Sequence, residues 1–132
     1  AATHYANALT ADMLTLAQLN KTAQAVVDPA AITAYVAAHP LVPATALQQI
    51  NMEYFVETST TFNFNETWAN WRRSGFPVLT PVTYPGQFTD GSIPRRMEYP
   101  VSLPSTNGAN YNAAVGKLTG GDLFTSRVWW DK

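Results

Sequence analysis

The sequence predicts an all-α fold in which helix pairs are followed by a long, proline-rich but ordered loop region. Two observations lead to this prediction. Apolar residues recur at helical spacing through residues 2–75, in segments joined by short connections. After Phe76 this period is lost, and six of the nine prolines fall between Pro77 and Pro104. Because proline fixes φ and removes an amide donor, this second part is expected to consist of extended segments and turns.

The first two helices are predicted from an apolar stripe and a cap. The stripe lies within residues 2–19, at offsets of four, four and three, and comprises Tyr5, Leu9, Met13 and Leu16. A second helix is expected to begin at Asp28 and Pro29, because an N-cap aspartate accepts a bond from an orphan amide and proline at N1 has no amide to satisfy. It should end near Ala38, since prolines follow at positions 40 and 43.

The third and fourth helices are each expected to bury one face. Thr45 and Gln48 are spaced as a capping box for the third helix. Its apolar stripe is predicted to face the core and comprises Leu47, Ile50, Tyr54 and Phe55. The fourth helix carries an aromatic ridge at i, i+4 and i+7, which we also expect to be buried and which comprises Phe64, Trp68 and Trp71.

The fourth helix is predicted to end within the run WANWRRSGFP at residues 68–77. Gly75 can take the left-handed C′ conformation, and Pro77 cannot continue the helix. Arg72 and Arg73 face the negative pole of the helix dipole and can stack on neighbouring indoles. We interpret this cluster as a structural clamp, with direct ligand contact as the alternative.

The region after the fourth helix is predicted to be an ordered wrap rather than a flexible linker, because apolar side chains can pin it onto the helices. These are Phe76, Val78, Leu79, Tyr84, Phe88, Ile93, Met97 and Tyr99. A second Arg-Arg pair occurs in IPRRMEYP at residues 93–100. Asn107 is the expected N-cap of a short helix near 108–116. The closing tryptophans, Trp129 and Trp130, are expected to be buried.

The length and the hydrophobic content are typical of one globular domain. The chain has 132 residues, of which 46% are hydrophobic and only 13% are charged. A net charge of −1 gives no electrostatic basis for binding nucleic acid. Cysteine is absent, which excludes disulfides and thiolate metal sites. The sequence therefore predicts no nucleic-acid partner, and targeting is not encoded in this stretch.

No catalytic, metal or cofactor site is predicted. The two histidines, His4 and His39, are interpreted as surface or capping residues, since neither has a nucleophile in a suggestive setting. Ligand spacing for a metal is not seen either. Four carboxylates could in principle supply an acid and a base for glycoside hydrolysis. Because four arginines surround them in the sequence, we interpret them as arginine partners instead: Asp90, Glu98, Asp122 and Asp131.

Four motifs in one order resemble the C-terminal part of the SusD/RagB family of outer-membrane nutrient-binding lipoproteins. They are WANWRRSGFP at 68–77, IPRRMEYP at 93–100, NGANYNAAV at 107–115 and the closing WWDK at 129–132. The run YANALTADM at 5–13 is also similar to a helix that precedes this region in the family. The chain departs mildly from the family pattern, with serine for threonine at position 74 and phenylalanine for tyrosine at position 76.

The resemblance implies that residues 1–132 form the C-terminal part of a SusD/RagB-like domain. Residues 1–75 would be tetratricopeptide-like helix pairs, and 76–132 a loop-rich wrap. The implied function is non-catalytic nutrient binding at the cell surface, of an oligosaccharide or sometimes a peptide, for a SusC-like TonB-dependent transporter. Membrane attachment would be only through an N-terminal lipid outside this chain. Ligand contacts are expected upstream, so a structural role is predicted for Trp68, Trp71, Arg72, Arg73, Arg95, Arg96, Trp129 and Trp130.

Two other functions remain open from the residues alone. The first is a helical-repeat module that binds proteins or peptides on a concave face. The second is a fragment of a glycosidase. We also expect the chain, taken alone, to expose a large apolar patch, because its helix stripes would normally face a missing part.

Overall fold

The computed structural model describes residues 1–19, 27–89 and 91–131. Within these ranges the regular structure is helical, with no β-strand, so the all-α prediction is confirmed. A 3-10 turn lies at Pro43–Thr45, and the α-helices are α1 (Ala2–Leu19), α2 (Pro29–Ala38), α3 (Ala46–Thr60), α4 (Phe64–Ser74), α5 (Leu103–Thr106) and α6 (Gly108–Val115).

No single helix in the described ranges is both long enough and apolar enough to cross a bilayer. Only the bent pair Pro29–Ala38 and Pro43–Thr60, which turns through 90°, meets the length and composition criteria jointly.

Two compact units divide the chain, Ala1–Trp68 and Ala69–Lys132. In the first unit, α1 packs against α2 and α3. Tyr5 and Leu9 of α1 are buried together with Ile32 of α2. The predicted stripe of α1 is therefore confirmed at the two positions that lie deepest.

Both ends of α2 are capped by side chains. Asp28 Oδ1 accepts a hydrogen bond from the amide of Ala30 at 2.9 Å, and Pro29 is the first helical residue, as predicted. His39 is the C-cap residue. Its Nδ1 lies 2.8 Å from the carbonyl oxygen of Tyr35, and its ring stacks on that tyrosine with centroids 4.0 Å apart. The interpretation of His39 as a capping residue is confirmed.

The helix α3 begins directly after Thr45, as predicted, but the predicted capping box and buried face are wrong. Thr45 makes no side-chain capping bond. Instead the amide group of Gln49 bridges the preceding turn, accepting from Val42 N at 2.7 Å and donating to Pro40 O at 3.1 Å. The buried positions of α3 are Asn51 and Thr58, and the predicted stripe is largely exposed. A unit this small has too few residues to cover a second face of its longest helices.

The end of α4 follows the prediction, but its aromatic ridge is buried only in part. Gly75 has φ of +77° and donates its amide to Trp71 O at 2.8 Å, which is the left-handed helix end expected of glycine. Trp71 is buried and Trp68 is half-buried. Phe64, in the first turn, is exposed and meets Phe62 edge to face, so burial grows toward the C-terminal end.

Polar bonds, more than apolar anchors, hold the loops of the second unit. Of the predicted anchors, Val78, Phe88 and Met97 are largely exposed. α6 begins one residue after Asn107, which takes the N-cap position. Its side chain accepts a hydrogen bond from the Asn110 side chain at 2.8 Å instead of capping a helix amide. The one-turn helix α5 was not predicted, because a four-residue segment carries no periodic signal.

Candidate functional site

Trp71 and Arg72 at the end of α4 are the buried centre of the second unit. The indole Nε1 of Trp71 donates to the carbonyl oxygen of Pro77 at 3.0 Å, which ties the helix to the loop that follows it. Arg72 points into the unit, and its Nη1 donates to the carbonyl oxygen of Arg95 at 2.7 Å. The first Arg-Arg motif therefore contacts the second across 23 positions of sequence.

Guanidinium groups and indole rings alternate at this point. The Arg95 guanidinium carbon lies 4.3 Å from the ring centroid of Trp71, and that of Arg72 lies 4.6 Å from the ring of Trp130. Burial lowers the pKa of Arg72, and Asp131 partly offsets this effect. Arginine pKa values are high enough that Arg72 stays charged, so stacking on the rings and bonding to carbonyls compensate for its desolvation.

Asp131 completes this cluster. Its side chain is fully buried, and it accepts two hydrogen bonds from Arg95, one of them from Nε at 2.9 Å. Arg127 Nη1 lies 3.7 Å from the same carboxylate, although its side chain is 55% exposed. We call Trp71, Arg72, Arg95, Trp130 and Asp131 the arginine clamp.

A second ion pair joins Arg96 to Asp122. Asp122 Oδ1 also accepts from the amide of Tyr99 at 3.2 Å, and Oδ2 accepts from the Tyr111 hydroxyl at 3.2 Å. Arg96 stacks over the Tyr99 ring, which meets the Tyr111 ring edge to face. Burial works to raise the pKa of Asp122, but the bonds from Arg96 and from the Tyr99 amide outweigh it, so this pKa lies below its usual value.

Four of the eight residues given a structural role from sequence belong to the arginine clamp: Trp71, Arg72, Arg95 and Trp130. Arg96 belongs to the second ion pair. The remaining three are Trp68, Arg73 and Trp129. Trp68 is half-buried, and Arg73 is exposed and bonds to the side-chain oxygen of Asn70. Trp129 was expected to be buried, but its side chain is 95% exposed. In the turn at the chain end, Trp130 stacks against the Arg72 guanidinium.

The carboxylates fall into two groups. Asp122 and Asp131 are arginine partners, as interpreted from the sequence. Glu98 is exposed, and no salt bridge to it is found among the described residues. Asp90 lies outside the described residues. His4 is exposed, and no group of three potential metal ligands is found in the described ranges.

Each unit also contains an open cavity. In the first unit, a groove of about 330 Å³ lies between α1 and α3. Tyr5, Ile50 and Tyr54 form its apolar part, with Asp12 and Glu53 among the polar lining residues. Burial raises the pKa of Asp12, and burial together with Glu53 raises that of Tyr5. Ile50 and Tyr54 of the predicted α3 stripe thus line an open groove and do not form a closed core.

In the second unit, a cavity of about 280 Å³ borders the clamp. Trp71 and Arg95 form one side of it, and Arg127 with Thr125 lies on another part of its lining. Sequence reasoning identified Trp71 and Arg95 but could not show that they border an opening.

A sequence model of the SusD-like family, described as "Susd and RagB outer membrane lipoprotein", matches residues 60–131. No curated protein matches the chain significantly. Two solved structures align with nearly all of it. A chitin-binding protein is 35% identical over 99% of the chain, with a TM-score of 0.83. A Bacteroidetes AC2a SusD-like protein is 28% identical over 99% of the chain, with a TM-score of 0.81.

The chain spans 28% of the first of these proteins and 25% of the second, about a quarter of their length. The matched residues 60–131 contain both Arg-Arg motifs and the closing tryptophans, which are the motifs that carried the resemblance in the sequence. The family model covers more than half of the chain, and the 35% identity extends over nearly all of it. This chain therefore belongs to the SusD-like family of Susd and RagB outer membrane lipoproteins.

Proposed function

We propose that the protein binds an oligosaccharide at the outer-membrane surface without cleaving it, and passes it to a SusC-like TonB-dependent transporter. The observation that carries this proposal is the 35% identity, over 99% of the chain, to a protein named as chitin-binding. The family description as an outer membrane lipoprotein supports the location.

The state of the buried carboxylates supports binding without hydrolysis. Glycoside hydrolysis requires one carboxylic acid that donates a proton and a second carboxylate that acts as base or nucleophile. Asp122 has a lowered pKa and accepts three hydrogen bonds, so it is ionised at neutral pH and is a poor proton donor. Asp131 is enclosed by Arg95. Neither is available to protonate a glycosidic oxygen.

Oligomers of N-acetylglucosamine, the repeating unit of chitin, are the first ligands to test. Such a ligand would be recognised by aromatic rings against the apolar faces of the sugar and by hydrogen bonds to its hydroxyl and acetamide groups. Cello-oligosaccharides are the matched control, because they share the β-1,4 linkage and lack the acetamide.

Calorimetric titration of the intact protein, followed by chromatography of the sugar, tests the proposal. We expect heat of binding with N-acetylglucosamine oligomers, weaker binding of cello-oligomers and no shortened product. Release of shorter sugars would contradict binding without cleavage. If no glycan gives heat while a SusC-like transporter still co-purifies, a protein-interaction or peptide-binding role is favoured instead.

A further inference from the structure

The second unit contains a further cavity on its loop surface, which no motif in the sequence indicated. It has a volume of about 310 Å³. Its lining residues are Phe88, Thr89, Ser92, Glu98, Leu123, Phe124 and Thr125. We call it the Phe88 cavity. We propose that it binds one neutral sugar ring of the oligosaccharide, an inference that rests on the proposed function and adds a contact site inside this chain.

Phe88 supplies an aromatic platform. Its side chain is 76% exposed although the ring is large and apolar. It packs on Phe124, with centroids 5.4 Å apart and planes inclined by 36°. Support from one side holds the ring in place and leaves most of its surface open to a ligand. The apolar face of a sugar ring would remove this surface from water.

Glu98 and three hydroxyl side chains supply the polar contacts. The carboxylate of Glu98 is exposed, in contrast to those of Asp122 and Asp131, which bond to arginines. A carboxylate accepts hydrogen bonds through two oxygens, which suits two neighbouring sugar hydroxyls. Thr89, Ser92 and Thr125 are lining residues whose hydroxyls both donate and accept. An aromatic face beside such groups is a chemistry that selects sugars.

Hydrogen bonds of the backbone amides order the segment that carries Glu98, which forms one wall of the cavity. The carbonyl oxygen of Phe124 accepts the amides of Arg95 and Arg96, at 2.7 and 3.2 Å. Three residues further, the Tyr99 amide donates to the side chain of Asp122. Glu98 therefore lies between two positions whose backbone amides are hydrogen-bonded, and it lines the cavity together with Phe124. A site whose backbone is already ordered has a smaller entropic cost of binding.

The loop that carries Phe88 is constrained as well. Ser92 donates its amide to Thr89 O at 2.8 Å, closing a turn. Gly91 in that turn has φ of +78°, and a Cβ there would lie 3.0 Å from the Thr83 side chain. Only glycine fits this position without strain, so the turn is shaped by close packing as well as by its hydrogen bond.

The volume and the charge of the Phe88 cavity restrict which ligands it can bind. A volume of about 310 Å³ is at the lower end for small-molecule pockets, which suits one ring of a chain and not several. Glu98 adds a negative charge at the cavity, which disfavours uronic acids and sulfated sugars. A neutral ring with adjacent hydroxyl groups is the ligand that fits both constraints.

The test uses the intact protein, N-acetylglucosamine trimer and cellotriose as probes, and three variants. Phe88→Ala removes the platform, and Glu98→Gln keeps the shape but removes the charge. Trp129→Ala is the control, because Trp129 is an even more exposed aromatic that is not among the residues of this cavity. Circular dichroism melting of each variant verifies folding.

We expect Phe88→Ala to lower the affinity for the more tightly bound trisaccharide about ten-fold, or to remove one binding site from the titration. Glu98→Gln should weaken it about five-fold, since charged hydrogen bonds exceed neutral ones. Trp129→Ala should leave the affinity unchanged. If the protein binds a probe equally well in all variants, the cavity assignment is wrong while the proposed function stands. If Trp129→Ala weakens binding as much as Phe88→Ala, the assignment is also wrong. If the protein itself binds neither probe nor any other glycan, both proposals fail.

Discussion

Replacing Asp131 by asparagine should destabilise the second unit strongly, because this carboxylate balances the buried positive charges of Arg72 and Arg95. It accepts two hydrogen bonds from Arg95, lies 3.7 Å from Arg127 and acts electrostatically on Arg72. Asparagine has nearly the same shape and keeps one acceptor oxygen, so the variant removes charge with little change in packing.

The expected loss in the free energy of unfolding follows from the burial of Asp131 and Arg95. The side chain of Asp131 is fully buried and that of Arg95 is only 12% exposed. Removing one partner of a buried pair typically costs about 3–5 kcal/mol, because the other charge is left uncompensated. The remaining amide oxygen still accepts one bond, so we expect about 3 kcal/mol for Asp131→Asn. This is a large part of the total stability of a domain, which is about 5–15 kcal/mol.

Urea unfolding followed by tryptophan fluorescence measures this loss, because Trp71 and Trp130 lie beneath the guanidinium groups of the clamp. Arg127→Ala is the matched control. It removes a charge near the same carboxylate, but its side chain is 55% exposed, so less than about 1 kcal/mol should be lost. If the two variants unfolded at the same urea concentration, the clamp would not stabilise the unit and our account of it would be wrong.

Three further predictions concern charge, backbone and stacking. The pKa of Asp122 is lowered in the folded protein, so the unfolded chain binds a proton at this residue at a higher pH than the folded protein does. The free energy of unfolding should therefore decline as the pH falls below about 5. Urea midpoints measured down to pH 2 should decline less in Asp122→Asn, and parallel curves for the two proteins would contradict this. Gly91→Ala should lower the free energy of unfolding by about 1–2 kcal/mol, whereas Gly108→Ala, in a helix with open space around its Cα, should raise it by about 0.5 kcal/mol. Arg72→Lys should cost about 1–3 kcal/mol despite keeping the charge, because lysine loses the planar stacking on Trp130; a melting curve like that of the unmodified protein would refute the stacking argument.

Features that depend on neighbours within one helical turn could be predicted from the sequence. The cap at Asp28, the left-handed end at Gly75 and the stripe of Tyr5 and Leu9 each follow from residues at most four positions away. The physical causes are local: an orphan amide, a missing Cβ and the period of a helix.

Features that depend on distant partners could not be predicted. Asp122 and Asp131 were recognised as arginine partners, but which arginine each would meet is decided 26 and 36 positions away. The face of α3 was assigned wrongly because periodicity shows that a stripe exists, not whether another element covers it. Phe88 and Glu98 were missed as cavity residues for the same reason, since nothing in the spacing brings them together.

The ion pair of Arg96 and Asp122 connects the stability of the second unit to its proposed sugar site. The Asp122 carboxylate accepts a hydrogen bond from the amide of Tyr99, one residue beyond Glu98. The amide of Arg96 donates to the carbonyl oxygen of Phe124. Asp122 does not line the Phe88 cavity. We therefore expect Asp122→Asn to weaken sugar binding about three-fold as a positioning effect, since a less ordered wall raises the entropic cost of binding.

The entropic origin of this effect gives it a signature that separates it from a lost contact. In calorimetry, Asp122→Asn should leave the enthalpy of binding nearly unchanged and make the entropy less favourable, so the loss of affinity of about three-fold should be nearly independent of temperature. Glu98→Gln should instead reduce the favourable enthalpy, because it removes the charged acceptor itself. If Asp122→Asn and Glu98→Gln changed the same thermodynamic quantity, or if Asp122→Asn had no effect, the pair would stabilise the fold without ordering the site.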